Sequence, residues 1–140
     1  MTSQENILRI QVIQSKLLKV LTNKRIRHST NKLHNELSIL KVEDIIKQEI
    51  LTFVHNYRNN KLPDVFNNYF LLKKDIQTIQ TRNIENQFVI PYCRTNIGEG
   101  SLKVKGPKLW NMQSNLLKKN SHLKSFRNTW KKTIFPYPTD

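Results

Sequence analysis

The chain has 140 residues, 37% of them hydrophobic, enough for one domain with a modest core. Twenty-four Lys and Arg stand against ten Asp and Glu, a net charge of +14 that attracts polyanions, nucleic acid before an anionic membrane surface. No apolar run approaches the roughly 20 residues that span a bilayer, and a single cysteine, Cys93, excludes an internal disulfide framework or a cysteine-rich zinc site.

Over residues 5–21, Ile7, Ile10, Ile13, Leu17, Leu18 and Leu21 recur at helical steps and form one apolar face, with Arg9, Lys16 and Lys19 on the other side. The start, Met-Thr-Ser-Gln-Glu-Asn, has no basic run before this periodic stretch, so it is not a secretory signal and an intracellular protein is expected. A basic knot of Lys24, Arg25, Arg27 and His28 follows in a loop. Ser29 and Thr30 are placed to cap a short helix through Leu37.

A longer helix is predicted over residues 42–57, where Ile46, Ile50, Phe53 and Tyr57 stack and Ile45, Leu51 and Val54 widen the stripe. It should be the most buried element. Glu43 and Asp44 sit in its first turn, where acids meet the positive end of the macrodipole. Pro63 suits the first turn of a further helix through Phe70. Residues 73–86 lose the pattern and read as an exposed, flexible connection.

Residues 88–93 and 101–105 read as two short strands around a glycine-bearing loop at 95–100, with Leu102 and Val104 inward and Lys103 and Lys105 outward. Gly106-Pro107 then turns the chain into a short helix carrying Trp110. A last helix is predicted over residues 122–134, capped by Ser121 and ended by Pro136 and Pro138. On it Leu123, Phe126, Trp130 and Ile134 share a face, and Lys124, Arg127 and Lys131 run along the flank. The expected architecture is mainly α, a compact single domain over 1–140 with one small antiparallel β-hairpin, its helical N-terminal part at 5–41 and its core at 42–135.

Four short runs stand in order along the chain. They are Ile39-Leu-Lys-Val-Glu-Asp-Ile45, Leu62-Pro-x-x-Phe-x-x-Tyr-Phe70, Thr81-Arg82, and the stretch 94–111, with Arg94, Thr95, Asn96, Gly98, Ser101 and a closing Gly106-Pro107-x-x-Trp110-Asn111. In this the chain resembles the C-terminal region of non-LTR, jockey-like retrotransposon reverse transcriptases, downstream of the polymerase domain. The resemblance covers most of the chain. It implies a nuclear segment that helps hold template RNA or target DNA, with a polymerase core as a possible partner.

It does not imply catalysis by this chain. A polymerase palm holds two metal ions on clustered carboxylates, and the four aspartates, Asp44, Asp64, Asp75 and Asp140, include no adjacent pair. Some relatives end in a zinc knuckle, which a chain with one cysteine lacks. His28, His34, His55 and His122 lack the spacing that puts two imidazoles on one helix face. Gly98 and Gly100 are turn formers, with no Lys-Ser or Lys-Thr after them to complete a phosphate loop. No catalytic residue, metal or cofactor is expected.

The expected chemistry is electrostatic. After Glu99 no acid appears before Asp140, while nine Lys and Arg fall between Lys103 and Lys132. The candidate phosphate contacts are Lys24, Arg25, Arg27, Arg82, Arg94, Lys103, Lys105, Lys108, Lys124, Arg127, Lys131 and Lys132. Such groups meet phosphate oxygens without reading bases. Arg82 and Arg94 are singled out by the resemblance alone, and the fork of Arg94 suits Glu99 as well as phosphate. Trp110 and Trp130 can stack bases, but both fall on predicted apolar faces and are assigned to the core.

Overall fold

The computed structural model describes residues 3–25, 27–78 and 84–139. Among them are seven α-helices: α1 (Ser3–Leu21), α2 (Thr30–Leu37), α3 (Val42–Arg58), α4 (Asn96–Glu99), α5 (Leu102–Asn111), α6 (Asn115–Lys118) and α7 (Leu123–Ile134). Single 3-10 turns lie at Asp64–Phe66 and Lys73–Asp75. The chain forms two compact units, one of residues 1–47 with 128–140 and one of residues 48–127.

The first unit is organised by side-chain amides. Gln14 Nε2 donates to the Leu40 carbonyl at 2.9 Å, and Gln11 Oε1 accepts the Val42 N–H at 2.8 Å. The second bond satisfies one of the four N–H groups that the start of α3 leaves without an intrahelical partner. α2 ends at Ser38, which takes the left-handed conformation (φ 52°) and returns its N–H to Asn35. Asn35 then brackets the backbone of Tyr137, accepting its N–H at 2.7 Å and donating to its carbonyl at 2.9 Å. Asn31 donates to the Pro138 carbonyl at 2.8 Å. The C-terminal tail is thus strapped to α2.

The tail's phenol finishes this network. Tyr137 Oη donates to Asp44 Oδ2 at 2.5 Å and accepts the Lys41 N–H at 3.0 Å, while its ring takes the Lys41 ammonium at 4.6 Å and the edge of the buried His34 imidazole at 5.8 Å. Burial, followed by the bond to Asp44, raises its pKa far above that of an ordinary tyrosine, so it stays a donor.

α1 shows the predicted helix, but not the predicted burial. Leu18 is its buried residue, and Ile7, Gln11, Gln14, Ser15 and Lys19 are half-buried. Ile10, Ile13, Leu17 and Leu21 point to solvent, Leu17 at 57% and Leu21 at 79% exposure, and Leu8, Val12 and Val20 are exposed as well.

The second unit is built on aromatic rings. Phe53 meets Phe66, Tyr69 and Phe70 edge-on at 5.2–6.1 Å, and Tyr57 meets Phe70 and Phe88. Phe88 touches Trp110, and Trp110 stacks on Phe126 at 5.9 Å. Edge-to-face pairs of this kind add attraction beyond the area they bury. α3 supplies Leu51, Thr52, Val54 and His55 as its buried residues, while Ile46, Ile50, Phe53 and Tyr57 are half-buried. His55 is held by the Asn120 carbonyl at 2.8 Å and lies 4.6 Å from the Phe126 ring.

No β-strand exists among the described residues, so the expected hairpin is absent. Residues 101–105 open α5, and the loop at 95–100 contains the single turn α4, capped by Thr95 Oγ1, which accepts the Gly98 N–H at 3.1 Å. The alternation Leu102, Lys103, Val104, Lys105 fits a strand, but Val104, Pro107 and Trp110 also fall at steps of three on a helix, and the helical period wins because it buries all three. Residues 88–93 keep one isolated antiparallel bridge, Leu72 to Phe88. Where the hairpin would have put a partner strand, the Asn111 side chain accepts the Phe88 N–H and donates to the Phe88 carbonyl, both at 2.9 Å.

Gly106 and Pro107 lie inside α5 and do not form a turn. A Cβ on Gly106 would fall 3.1 Å from both Phe70 Cζ and Val54 Cγ2, so the missing side chain is what lets α5 approach α3. Pro107 forfeits the bond its N–H would give to Lys103, and it is buried with Trp110 in return. Pro63 likewise precedes only one 3-10 turn, since Asn67 is extended (ψ 133°) and Asn68 takes φ 61°. In the connection at 73–86, Lys73 N–H donates to Gln87 at 2.9 Å and Val89 N–H to Leu71 at 2.7 Å, which ties its ends together. Residues 79–83, with Thr81 and Arg82, lie outside the described residues.

Candidate nucleic-acid interface

In the first unit, α1 ends at Leu21, the chain takes a left-handed turn at Asn23 (φ 52°), and Lys24, Arg25 and Arg27 follow as exposed side chains of the connecting loop. Lys132 is exposed on α7, while Lys131 is half-buried with its ammonium 5.6 Å above the Phe135 ring.

In the second unit, α5 regroups the lysines that the hairpin would have arranged. Lys105 and Lys108 are three residues apart on the outward face and exposed, whereas Lys103 is turned toward Tyr69 with its ammonium 5.7 Å from the ring centre. Arg94 is exposed ahead of α4 and makes no ion pair with Glu99. Lys124 is exposed on α7. Arg127 is used internally, its Nη2 2.8 Å from Glu49 Oε1 and its Nε donating to Thr52 Oγ1 at 3.1 Å. Arg82 lies outside the described residues.

Among the described residues, Arg127 alone of the candidate cations is paired with a carboxylate. The other ten have no carboxylate partner among the described residues. Nine of these are exposed, and Lys131 is half-buried.

The remaining candidates have structural roles. Trp110 is fully buried and donates from Nε1 to the Asn86 carbonyl at 3.1 Å; Trp130 is buried too, so neither ring offers a face to a base. In the Gly-Pro-x-x-Trp-Asn closure, Gly106 permits a close approach, Trp110 fills the core and Asn111 clamps Phe88. The adjacent acids of α3 are both engaged, Glu43 with Lys47 at 3.2 Å and Asp44 with Tyr137. No group of three or more His, Cys, Asp or Glu gathers among the described residues. No helix among them is long and apolar enough to cross a membrane.

Sequence reasoning missed a second set of cations. Lys118 is only 6% exposed, a burial rarely seen for lysine, and its Nζ donates to the Asn111 carbonyl at 3.3 Å. Arg58 donates to Asn86 Oδ1, and Lys73 Nζ donates to Gln87 Oε1 at 2.9 Å. Lys118 sits in a Leu-Leu-Lys-Lys run whose charges read as surface, so nothing in the sequence signals its burial. No family model, curated protein or solved structure matches the chain.

Proposed function

We propose that the chain is a non-catalytic segment that binds RNA or DNA through its phosphates, of the kind found beyond the polymerase domain in non-LTR retrotransposon reverse transcriptases, and acts in the nucleus. The observation that carries this reading is the charge of the ten candidate cations that have no carboxylate partner among the described residues, within a net charge of +14. Such charge is costly to concentrate on one chain, and a polyanion relieves it by releasing condensed counterions. The cations sit on a loop and on outward helix faces and both tryptophans are buried, which favours backbone contact over base readout. Among the described residues Tyr92, close to Arg94 in the chain, is the one exposed aromatic ring that a base could meet.

Reversing Lys105 and Lys108 to Glu tests this reading. Both side chains point outward from α5, so the fold should persist while affinity for unrelated single-stranded and duplex sequences falls alike. A loss confined to one sequence, or none, would remove the proposal.

A second reading draws on α1. Seven of its aliphatic residues are exposed, more apolar side chains than one helix facing only water needs. A packing module that braces a polymerase core would present such a face. Dye binding or self-association that is lost on replacing Ile13 and Leu17 by Gln would favour that reading.

A further inference from the structure

Arg58, Lys73 and Lys118 come from different elements of the second unit. Two of their acceptors are consecutive: Arg58 reaches the side chain of Asn86, and Lys73 that of Gln87. Lys118 reaches the carbonyl of the third, Asn111, whose side chain is bonded to the backbone of the next residue, Phe88. All of these acceptors are neutral. No carboxylate pairs with any of the three cations among the described residues, and Arg58 Nη1 is buried with no hydrogen-bond partner.

Such a cluster is unfavourable as it stands, because a cation withdrawn from water must be paired or lose its charge. Burial holds the Lys118 ammonium below the ordinary lysine range, and the charges of Arg58 and Lys73 lower it further. Burial also lowers the Arg58 guanidinium. A bound anion would relieve both the desolvation and the mutual repulsion. Of the three, Arg58 lines a cleft of about 520 Å³ together with Asn60, Asn67, Asn68 and Lys74, and Lys73 lines a separate one with Gln77 and Val89. Glu85 lines the Arg58 cleft, exposed, and pairs with none of the cations.

We propose that Arg58, Lys73 and Lys118 form a binding site for a phosphate-class anion. Three cations approaching from separate elements suit the several oxygens of a tetrahedral anion better than the two of a planar carboxylate, and the unpartnered Nη1 supplies a donor in fixed geometry. The anion is either free inorganic phosphate or the terminal phosphate of a nucleic-acid strand. This site is separate from the exposed cations of the proposed interface and stands if that interface fails.

Thermal unfolding of the full chain in sodium phosphate, against sodium chloride at equal ionic strength, tests it. Phosphate at tenfold excess over its Kd should raise Tm by roughly 4 °C. Lys118→Met, which relieves the buried charge and should fold, ought to abolish the difference, and Arg58→Gln ought to reduce it independently. No phosphate-specific rise in the wild type, or an undiminished rise in both variants, would overturn the proposal. A 5′-phosphorylated oligonucleotide that binds more tightly than its unphosphorylated twin would identify a strand end as the source. Equal binding, with the phosphate-specific rise intact, would assign the site to the free ion.

Discussion

The two units bury apolar surface by different means, although their sequences carry the same helical signal. In residues 48–127, rings from Phe53, Tyr57, Phe70, Phe88, Trp110 and Phe126 form a continuous chain of contacts, and Gly106 lets the backbones close around it. In the first unit, α1 offers seven aliphatic side chains and leaves them in water, while Gln11, Gln14, Asn35 and Tyr137 make the defining contacts. Periodicity shows that a helix has an apolar face. It does not show that anything covers that face; large rings and points of close approach are what produced burial here.

The sharpest break of this contrast is Trp110→Ala. It removes a fully buried ring from between Phe88 and Phe126, together with a hydrogen bond to Asn86, and should cost the second unit about 3–5 kcal/mol, read from hydrogen exchange in residues 48–127. Gly106→Ala should cost about 1–3 kcal/mol by overpacking against Phe70 and Val54, minus up to about 1 kcal/mol of helix propensity gained. A gain in stability would show that α5 and α3 are not held as closely as described.

The first unit should respond to acid through His34. Burial lowers the pKa of this imidazole, opposed by its bond to the Ile39 carbonyl, so the folded state resists the proton that the unfolded chain accepts near pH 6.5. Its contribution to stability is therefore intact above pH 6.5 and is lost as pH falls below that value toward the depressed folded pKa. Urea midpoints at pH 7.5 and 5.5 should differ more for the wild type than for His34→Gln. An equal difference would place the acid response elsewhere. The smallest effect belongs to α1, where Ile13→Gln with Leu17→Gln should change stability by no more than about 0.5 kcal/mol, because both side chains are already hydrated.

The helices over residues 5–21, 42–57 and 122–134 were legible from their apolar periods, and the one over 30–37 from the candidate capping residues Ser29 and Thr30. Two kinds of residue defeated the reading of 88–107. Gly106-Pro107 punctuates most chains as a turn, yet here the glycine serves close packing and the proline is buried within α5. Asn111 stands in for a strand, and no local pattern announces that an amide side chain will satisfy a backbone 23 residues away. Among the cations, composition made the exposed ones legible. The pairing of Arg127 with Glu49 and the burial of Lys118 depend on tertiary contacts that spacing does not encode.

Uncompensated surface charge as the source of nucleic-acid affinity is tested most directly by the dependence of that affinity on salt. A plot of log K against log salt for a duplex and for a single strand should be linear and steep, with slopes of roughly −0.9 and −0.7 per phosphate contacted. Reversal of Lys105 and Lys108 should lower the slope by about two contacts on either ligand. A flat plot, or a steep one that the reversal leaves unchanged, would contradict the account.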